Sequence, residues 1–215
     1  MKVLIADDHG IIRDGLKALI KKQADFEVVG EAEDGNTAVE MASRLTPDVV
    51  IIDVTMPNLN GVDATRAIVR NNPNTKVIAL SMHTEKTIVR EMLKAGAYSY
   101  VLKSYLFDEI NKSLEAIKKG ERYLSPHIAA LIQEDYAASK TGGAAGDKKS
   151  LSERERQILQ LVAEGKSIKE ISLLLRLSPK TVDAYRRNLM TKLGTANVAA
   201  LIKYAVREGL TSLDF

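Results

Sequence analysis

The 215-residue chain contains no cysteine, and aromatics make up only 5% of it. Without cysteine it can have neither disulfides nor a thiolate metal site. Long hydrophobic runs are missing too. No stretch approaches the roughly 20 apolar residues that span a bilayer. The start, Met1-Lys2-Val3-Leu4-Ile5-Ala6-Asp7-Asp8, lacks the apolar stretch of a signal peptide. A soluble cytoplasmic protein with no membrane partner is the expectation. The three histidines, His9, His83 and His127, are scattered and read as solvated or packed side chains rather than metal ligands. No internal repeat is present. The net charge of +3 is unevenly spread: residues 1–140 hold 18 Lys and Arg against 20 Asp and Glu, and residues 141–215 hold 13 against 8. That asymmetry argues for two domains and for an anionic partner on the second, unless the surplus only solubilises.

What is present is a set of polar residues that close apolar runs. Asp7 and Asp8 follow Val3–Ala6, and Asp53 follows Val49–Ile52. Ser81 follows Val77–Leu80, and Lys103 follows Tyr98–Leu102. Short apolar runs rich in β-branched residues read as strands buried on both faces of a parallel sheet. The positions just past such strands form the carboxyl edge, where open α/β sheets bind ligands. Helical patterns alternate with these runs: Ile12 to Ile20, Thr37 to Leu45, Val62 to Val69, Thr84 to Lys94, and Phe107, Ile110, Leu114 and Ile117. With a further strand over Phe26–Ala32, the pattern predicts an α/β fold with a five-stranded, doubly wound parallel sheet.

Ser125-Pro126 opens another helix carrying Ile128, Leu131 and Ile132, and the small polar run Ser139–Lys149 reads as a flexible linker. The remainder predicts four short helices with apolar faces. Ser152 with Glu155, and Ser167 with Glu170, have capping-box spacing, and Ser178-Pro179 starts the third helix. Such short connections suit an all-α helix-turn-helix bundle.

Three carboxylates, a hydroxyl and an ammonium at one edge suit a divalent cation and a phosphoryl group. Mg²⁺ prefers oxygen ligands and often bridges carboxylates to phosphate. An Asp carboxylate can attack phosphorus, and nearby cations offset its repulsion of the donor. Asp53, closing the central strand, is the nucleophile candidate. Asp7 and Asp8 would hold the metal, Lys103 would pair with the phosphoryl oxygens, and Ser81 would hydrogen-bond one. Any one of these alone is an ordinary strand-end polar residue, but the whole series is not.

Asp7-Asp8-His9, Asp53-Val54-Thr55-Met56-Pro57 with Gly61, Leu80-Ser81 and Tyr100-Val101-Leu102-Lys103 resemble response-regulator receiver domains, which have the flavodoxin-like form of this sheet. The resemblance implies that Asp53 accepts phosphate from a sensor histidine kinase, with Mg²⁺ on Asp8, Asp53 and the Thr55 backbone carbonyl. Asp7 would act mainly through water. Ser81 and Tyr100 would form a switch pair, and Thr55 and His83 would sit where the family tunes dephosphorylation. Ser104 stands where many receivers have Pro after the Lys.

In the third helix of the last part, Val182, Leu189 and Leu193 share one face, and Lys180, Ala184, Arg187 and Thr191 share the opposite one. Small and basic residues on an outward stripe suit a helix laid in a DNA major groove, with Arg187 at a guanine edge or phosphate, and Lys180 and Arg186 at the backbone. Leu151–Arg156, Glu164–Ser167, Lys169–Ile171, Leu177–Val182 and Lys192–Gly194 resemble a LuxR-type helix-turn-helix. The chain as a whole is similar to NarL/FixJ-type regulators. The expected division is a receiver over 1–121, a linker helix and flexible linker over 122–149, and a LuxR-type domain over 150–215. Ile168–Leu175 would be the scaffold helix and Pro179–Lys192 the recognition helix, contributing Lys180, Thr181, Asp183, Ala184, Tyr185, Arg186, Arg187 and Thr191. The last helix would help the protein dimerise on DNA. Asp183, Ala184 and Tyr185 depart from the family pattern, as does Val198. Asp183 would accept a bond from cytosine or pair with Arg186 or Arg187, and Tyr185 would bond a phosphate.

The expectation is a phosphorylation-activated homodimeric regulator of double-stranded DNA. It would not be an enzyme beyond self-catalysed phosphorylation and dephosphorylation. A phosphatase places a second Asp two residues after the nucleophile, where this chain has Thr55. A flavin or nucleotide module needs a phosphate loop after strand one, where Asp7-Asp8-His9 stands. A regulator with a vestigial receiver is the remaining alternative.

Overall fold

The computed structural model describes residues 1–82, 84–140 and 151–211, without the side chains of 135–140. The chain divides into two compact units, Met1–Gly143 and Ala144–Phe215, each described by itself.

The first unit alternates β1 (Lys2–Ala6), α1 (Gly10–Ile20), β2 (Glu27–Ala32), α2 (Gly35–Leu45), β3 (Val49–Asp53), α3 (Gly61–Asn71), β4 (Lys76–Ser81), α4 (Lys86–Lys94), β5 (Ser99–Leu102), α5 (Leu106–Lys118) and α6 (Pro126–Lys140). The strands are all parallel, in the order β2-β1-β3-β4-β5. Successive side chains alternate between faces, so a sheet covered on both sides needs unbroken apolar strands. Leu4, Val50 and Ile52 pack towards α2, α3 and α4, with Ala38, Ile68 and Met92. Val3, Ile5, Val49 and Ile51 pack towards α1 and α5, with Leu16, Ile110 and Leu114. Every residue of β3 is buried, which puts Asp53 at the end of the central strand, beside the β1/β3 switch point where sheets of this order bind ligands.

Helix starts follow side-chain caps. Asp34 accepts from the Asn36 and Thr37 amides, and Asn60 from Asp63. Element ends lie within a few residues of the sequence expectation, as frayed ends do. Phe107 departs from it. Lys103–Tyr105 forms a 3₁₀ turn, α5 begins at Leu106, and Leu106, Ile110, Leu114 and Ile117 take the inner positions. Phe107 is left 60% exposed.

The helix expected as a linker packs on this unit. Leu124 pairs with Tyr100 beside β5, and Ile128 is fully buried in the core cluster that holds Met92 and Tyr100. Of the expected flexible linker, Ser139 and Lys140 end α6. Residues 141–149 lie outside the described residues, as does His83.

The second unit holds α7 (Glu153–Ala163), α8 (Ile168–Leu175), α9 (Pro179–Leu193) and α10 (Val198–Arg207) around Ile158, Leu161, Ile171, Val182, Leu189, Leu201 and Ala205. Both capping boxes form, at Ser152 with Glu155 and at Ser167 with Glu170. Ser178 caps α9 with Pro179 in its first turn, and Asn197 caps α10.

Gly61 shows how closely the loop after β3 folds back. A Cβ there would sit 1.9 Å from the Asp53 carbonyl oxygen, while the Gly61 amide donates to the Val54 carbonyl at 2.8 Å. Gly61→Ala should destabilise the first unit by about 2–3 kcal/mol, as overpacking does, read as a lower denaturant midpoint.

Candidate functional site

The site forms where β1, β3, β4 and β5 end. Lys103 Nζ lies 2.8 Å from Asp53 Oδ2 and 2.7 Å from Asp7 Oδ2, so one ammonium bridges two carboxylates. The other Asp53 oxygen accepts from the Thr55 amide at 3.3 Å. Asp7 is fully buried, and Asp53 is 4% exposed. Burial pushes the Asp53 carboxyl up to about 7; Lys103 opposes the shift and Asp7 adds to it. Burial also works against the Lys103 charge, but Asp53 and Asp7 outweigh it and raise the Lys103 pKa.

Asp7, Asp8, His9 and Asp53 each offer a ligand atom, all within 4.8 Å of one another. Three carboxylates gather here, and the Lys103 ammonium bridges only two of them, an acidic surplus suited to a divalent cation. The Ser81 hydroxyl, fully buried at the end of β4, hydrogen-bonds the Tyr100 phenol rather than standing free for a ligand; burial raises the phenol pKa against that bond.

Two contributors escaped the sequence reading. His9 Nδ1 lies 2.8 Å from Asp8 and 3.2 Å from Asp7, so this histidine lies against the acid pair. Arg13, one turn into α1, donates to the Asp7 carbonyl at 2.8 Å and pairs with Glu33 at 2.6 Å, which braces the end of β1. Its i+4 spacing from His9 was the available signal. On the elements that follow β1, β4 and β5, Ile11, Met82, Tyr105 and Phe107 are more than half exposed.

In the second unit α9 presents the expected stripe. Lys180, Ala184, Arg187 and Thr191 are exposed, while Val182 and Leu189 are buried. Asn188 is exposed on the same face and was missed; asparagine is an adenine-reading side chain. Thr181, Arg186 and Tyr185 are half-buried, Tyr185 against the core. Asp183 pairs with both arginines left open by the sequence, Arg186 at 2.9 Å and Arg187 more closely. The Arg187 hydrogen bond, opposed by slight desolvation, holds its carboxyl below the usual range. Lys192 reaches Glu155 at 2.8 Å and ties α9 to α7.

Family models agree with both units: residues 3–115 match the response regulator receiver domain, and residues 149–205 match the luxR family of bacterial regulatory proteins. This chain belongs to the two-component response regulators with a LuxR-type DNA-binding domain. The regulator is 35% identical to the response regulator UvrY of Escherichia coli K12, over all of this chain and 97% of that one. It is 37% identical to the transcriptional regulatory protein LiaR of Bacillus subtilis, over 99% and 100%. Among solved structures it resembles RcsB of Salmonella enterica serovar Typhimurium, bound to a promoter in the presence of the phosphomimetic BeF3⁻. That match has a TM-score of 0.61 and 30% identity, and covers 98% of this chain and 99% of that one. A second, the RcsB–DNA complex, has a TM-score of 0.59 and 30% identity, and covers 95% and 96%. No described helix of the regulator is long and apolar enough to cross a membrane.

The raised Asp53 pKa sets a pH dependence. A carboxyl whose folded pKa of about 7 exceeds its unfolded 3.8 favours folding while protonated, and that contribution is lost as pH rises from about 4 to about 7. In chelator, Asp53→Asn should therefore gain on the parent protein across this window and hold a constant lead above it. Denaturant midpoints measured against pH check this.

Proposed function

We propose that the regulator takes a phosphoryl group from a sensor histidine kinase on Asp53, and that this promotes its dimerisation and operator binding. The observation that carries the reading is the buried Asp53 carboxylate bridged to Lys103 beside a second acid at the switch point of the sheet. A carboxylate oxygen attacks phosphorus as the bond to the donor's imidazole nitrogen breaks, leaving the phosphoryl group on Asp53. Lys103, already 2.8 Å from the acceptor, turns to a phosphoryl oxygen, and Ser81 turns from Tyr100 to another. The exposed apolar side chains of Ile11, Met82, Tyr105 and Phe107 give a kinase an apolar rim to dock on.

The metal in this reading would be Mg²⁺, which Asp8, Asp53 and the Thr55 carbonyl would hold, with Asp7 acting mainly through water. The acidic surplus around Asp53 fits it. When bound, the ion neutralises charge on the transferred group. We read the protein as a phosphoacceptor and not an enzyme on external substrates, because Thr55 leaves no general acid two residues after Asp53.

On the DNA side, the outward stripe of α9 enters the major groove, and the protein works in the cytoplasm with the chromosome. The RcsB structures include two dimers bound to two parallel DNAs. The same arrangement here would set two half-sites about one helical turn apart or closer.

A small phosphodonor with Mg²⁺ should add one phosphoryl mass to the parent protein and none to Asp53→Asn. Loading of the variant would refute the site, and DNA binding indifferent to loading would leave a regulator with a vestigial receiver. Arg187→Ala should weaken operator binding by about 1–3 kcal/mol, or reduce the salt slope by about 1 if its contact is to phosphate. Asp183→Ala, which removes a carboxylate from the DNA face, should tighten non-specific binding in a salt titration.

A further inference from the structure

The segment that follows α5 is wired to the switch pair. The Tyr100 amide donates to the Tyr123 carbonyl at 3.3 Å, and the Ser125 amide donates to the Tyr100 carbonyl at 3.1 Å. Residues 123–125 therefore extend the sheet edge at the very residue whose phenol bonds Ser81. Ile128, three residues on, is fully buried in the cluster that holds Tyr100, Ile88, Val89 and Met92. Leu124 and Ile132 pack against the same cluster. At the rim, Lys86 of α4 reaches Glu134 of α6 at 3.1 Å.

We propose that residues 123–134 form a strap that senses Tyr100, and that phosphorylation of Asp53 releases it from β5 and α4. The proposal rests on the phosphoacceptor reading above. A Ser81 hydroxyl that turns to a phosphoryl oxygen leaves the Tyr100 phenol. The phenol is fully buried, and a buried polar group without its partner is costly, so the ring must repack. Its neighbours in that repacking are Ile128 and the α4 side chains, and its main chain holds residues 123 and 125.

The strap is built to let go. The Ser125 hydroxyl is buried and has no hydrogen-bond partner, so release hydrates a group that the closed strap leaves unsatisfied. The Lys86–Glu134 pair is exposed and weak, which leaves Leu124, Ile128 and Ile132, with the two main-chain bonds to Tyr100, to hold the segment. Only residues 141–150 separate α6 from the described part of the DNA-binding unit. A released strap frees residues 123–134 from the first unit and so changes how freely the DNA-binding unit finds a partner copy.

Hydrogen exchange on the full chain tests the strap, with phosphoramidate and Mg²⁺ as donor and intact mass as the independent measure of loading. Amide protection over 126–134 should fall tenfold or more in the loaded protein and stay unchanged in Asp53→Asn under the same conditions. A loaded protein whose 126–134 amides keep their protection overturns the strap alone. A protein that takes no phosphoryl group overturns the phosphoacceptor reading and the strap together. Glu134→Lys supplies a second arm at an exposed position. Coupling is reciprocal, so loosening the strap should make BeF3⁻ with Mg²⁺ bind severalfold tighter. Unchanged affinity in a variant whose α6 exchanges faster counts against the coupling.

Discussion

The regulator's first unit depends on one shared ammonium. Lys103 lies within hydrogen-bonding distance of Asp7 and Asp53 together, at the end of a sheet whose central strand is wholly buried. Two carboxylates this deep in the protein would repel each other without it, and burial alone disfavours both charges. The parallel sheet brings the three together from β1, β3 and the turn after β5, elements far apart in the chain. The two-layer apolar core exists to hold those strand ends in register. The arrangement is still short of positive charge, and that deficit makes it receptive to a cation and to a group that Lys103 can turn to.

Around that deficit, the closest polar contacts are already committed in ways that phosphorylation would have to exchange. Ser81 is bonded to Tyr100, Lys103 to the acids, and His9 to Asp7 and Asp8. In the proposed reading, the site would respond to a new charge by trading partners. Two of the loops around it leave little room to move. Gly61 lies against the Asp53 carbonyl and Gly35 against the Leu59 carbonyl, each without room for a Cβ. At these two loops the backbone is tightly constrained.

Much of this was legible in the sequence because the signals are local. Apolar runs closed by Asp53, Ser81 and Lys103 place the strand ends, and Ser152 with Glu155 and Ser167 with Glu170 place two helix starts from spacing alone. What was not legible depended on contacts between distant segments. Phe107 fitted a helical stripe, but the 3₁₀ turn before α5 moves the inner face onto Leu106. Ile128 looked like one side of a free linker helix, because nothing within α6 says that Tyr100 and α4 will cover it. The Gly61 requirement lies in the Asp53 carbonyl, eight positions earlier, and no periodicity records it.

The second unit follows a different logic, and Asp183 shows it. Its helices are short and capped by their own side chains, so its outward face is free to vary without disturbing the core of Val182, Leu189 and Leu201. On that face the carboxylate of Asp183 engages Arg186 and Arg187, the two arginines of the recognition helix. In the proposed DNA contact, pairing both would cancel part of their charge and so lower indiscriminate attraction to the phosphate backbone. An arginine would then reach a guanine edge by leaving its carboxylate or by sharing it, and a cytosine amino group would offer Asp183 a replacement donor. A wrong base pair offers neither exchange and leaves the ion pair as the better state. In the proposed DNA contact, Asp183 would thus trade binding strength for selectivity, as a repulsive element in a specific interface does.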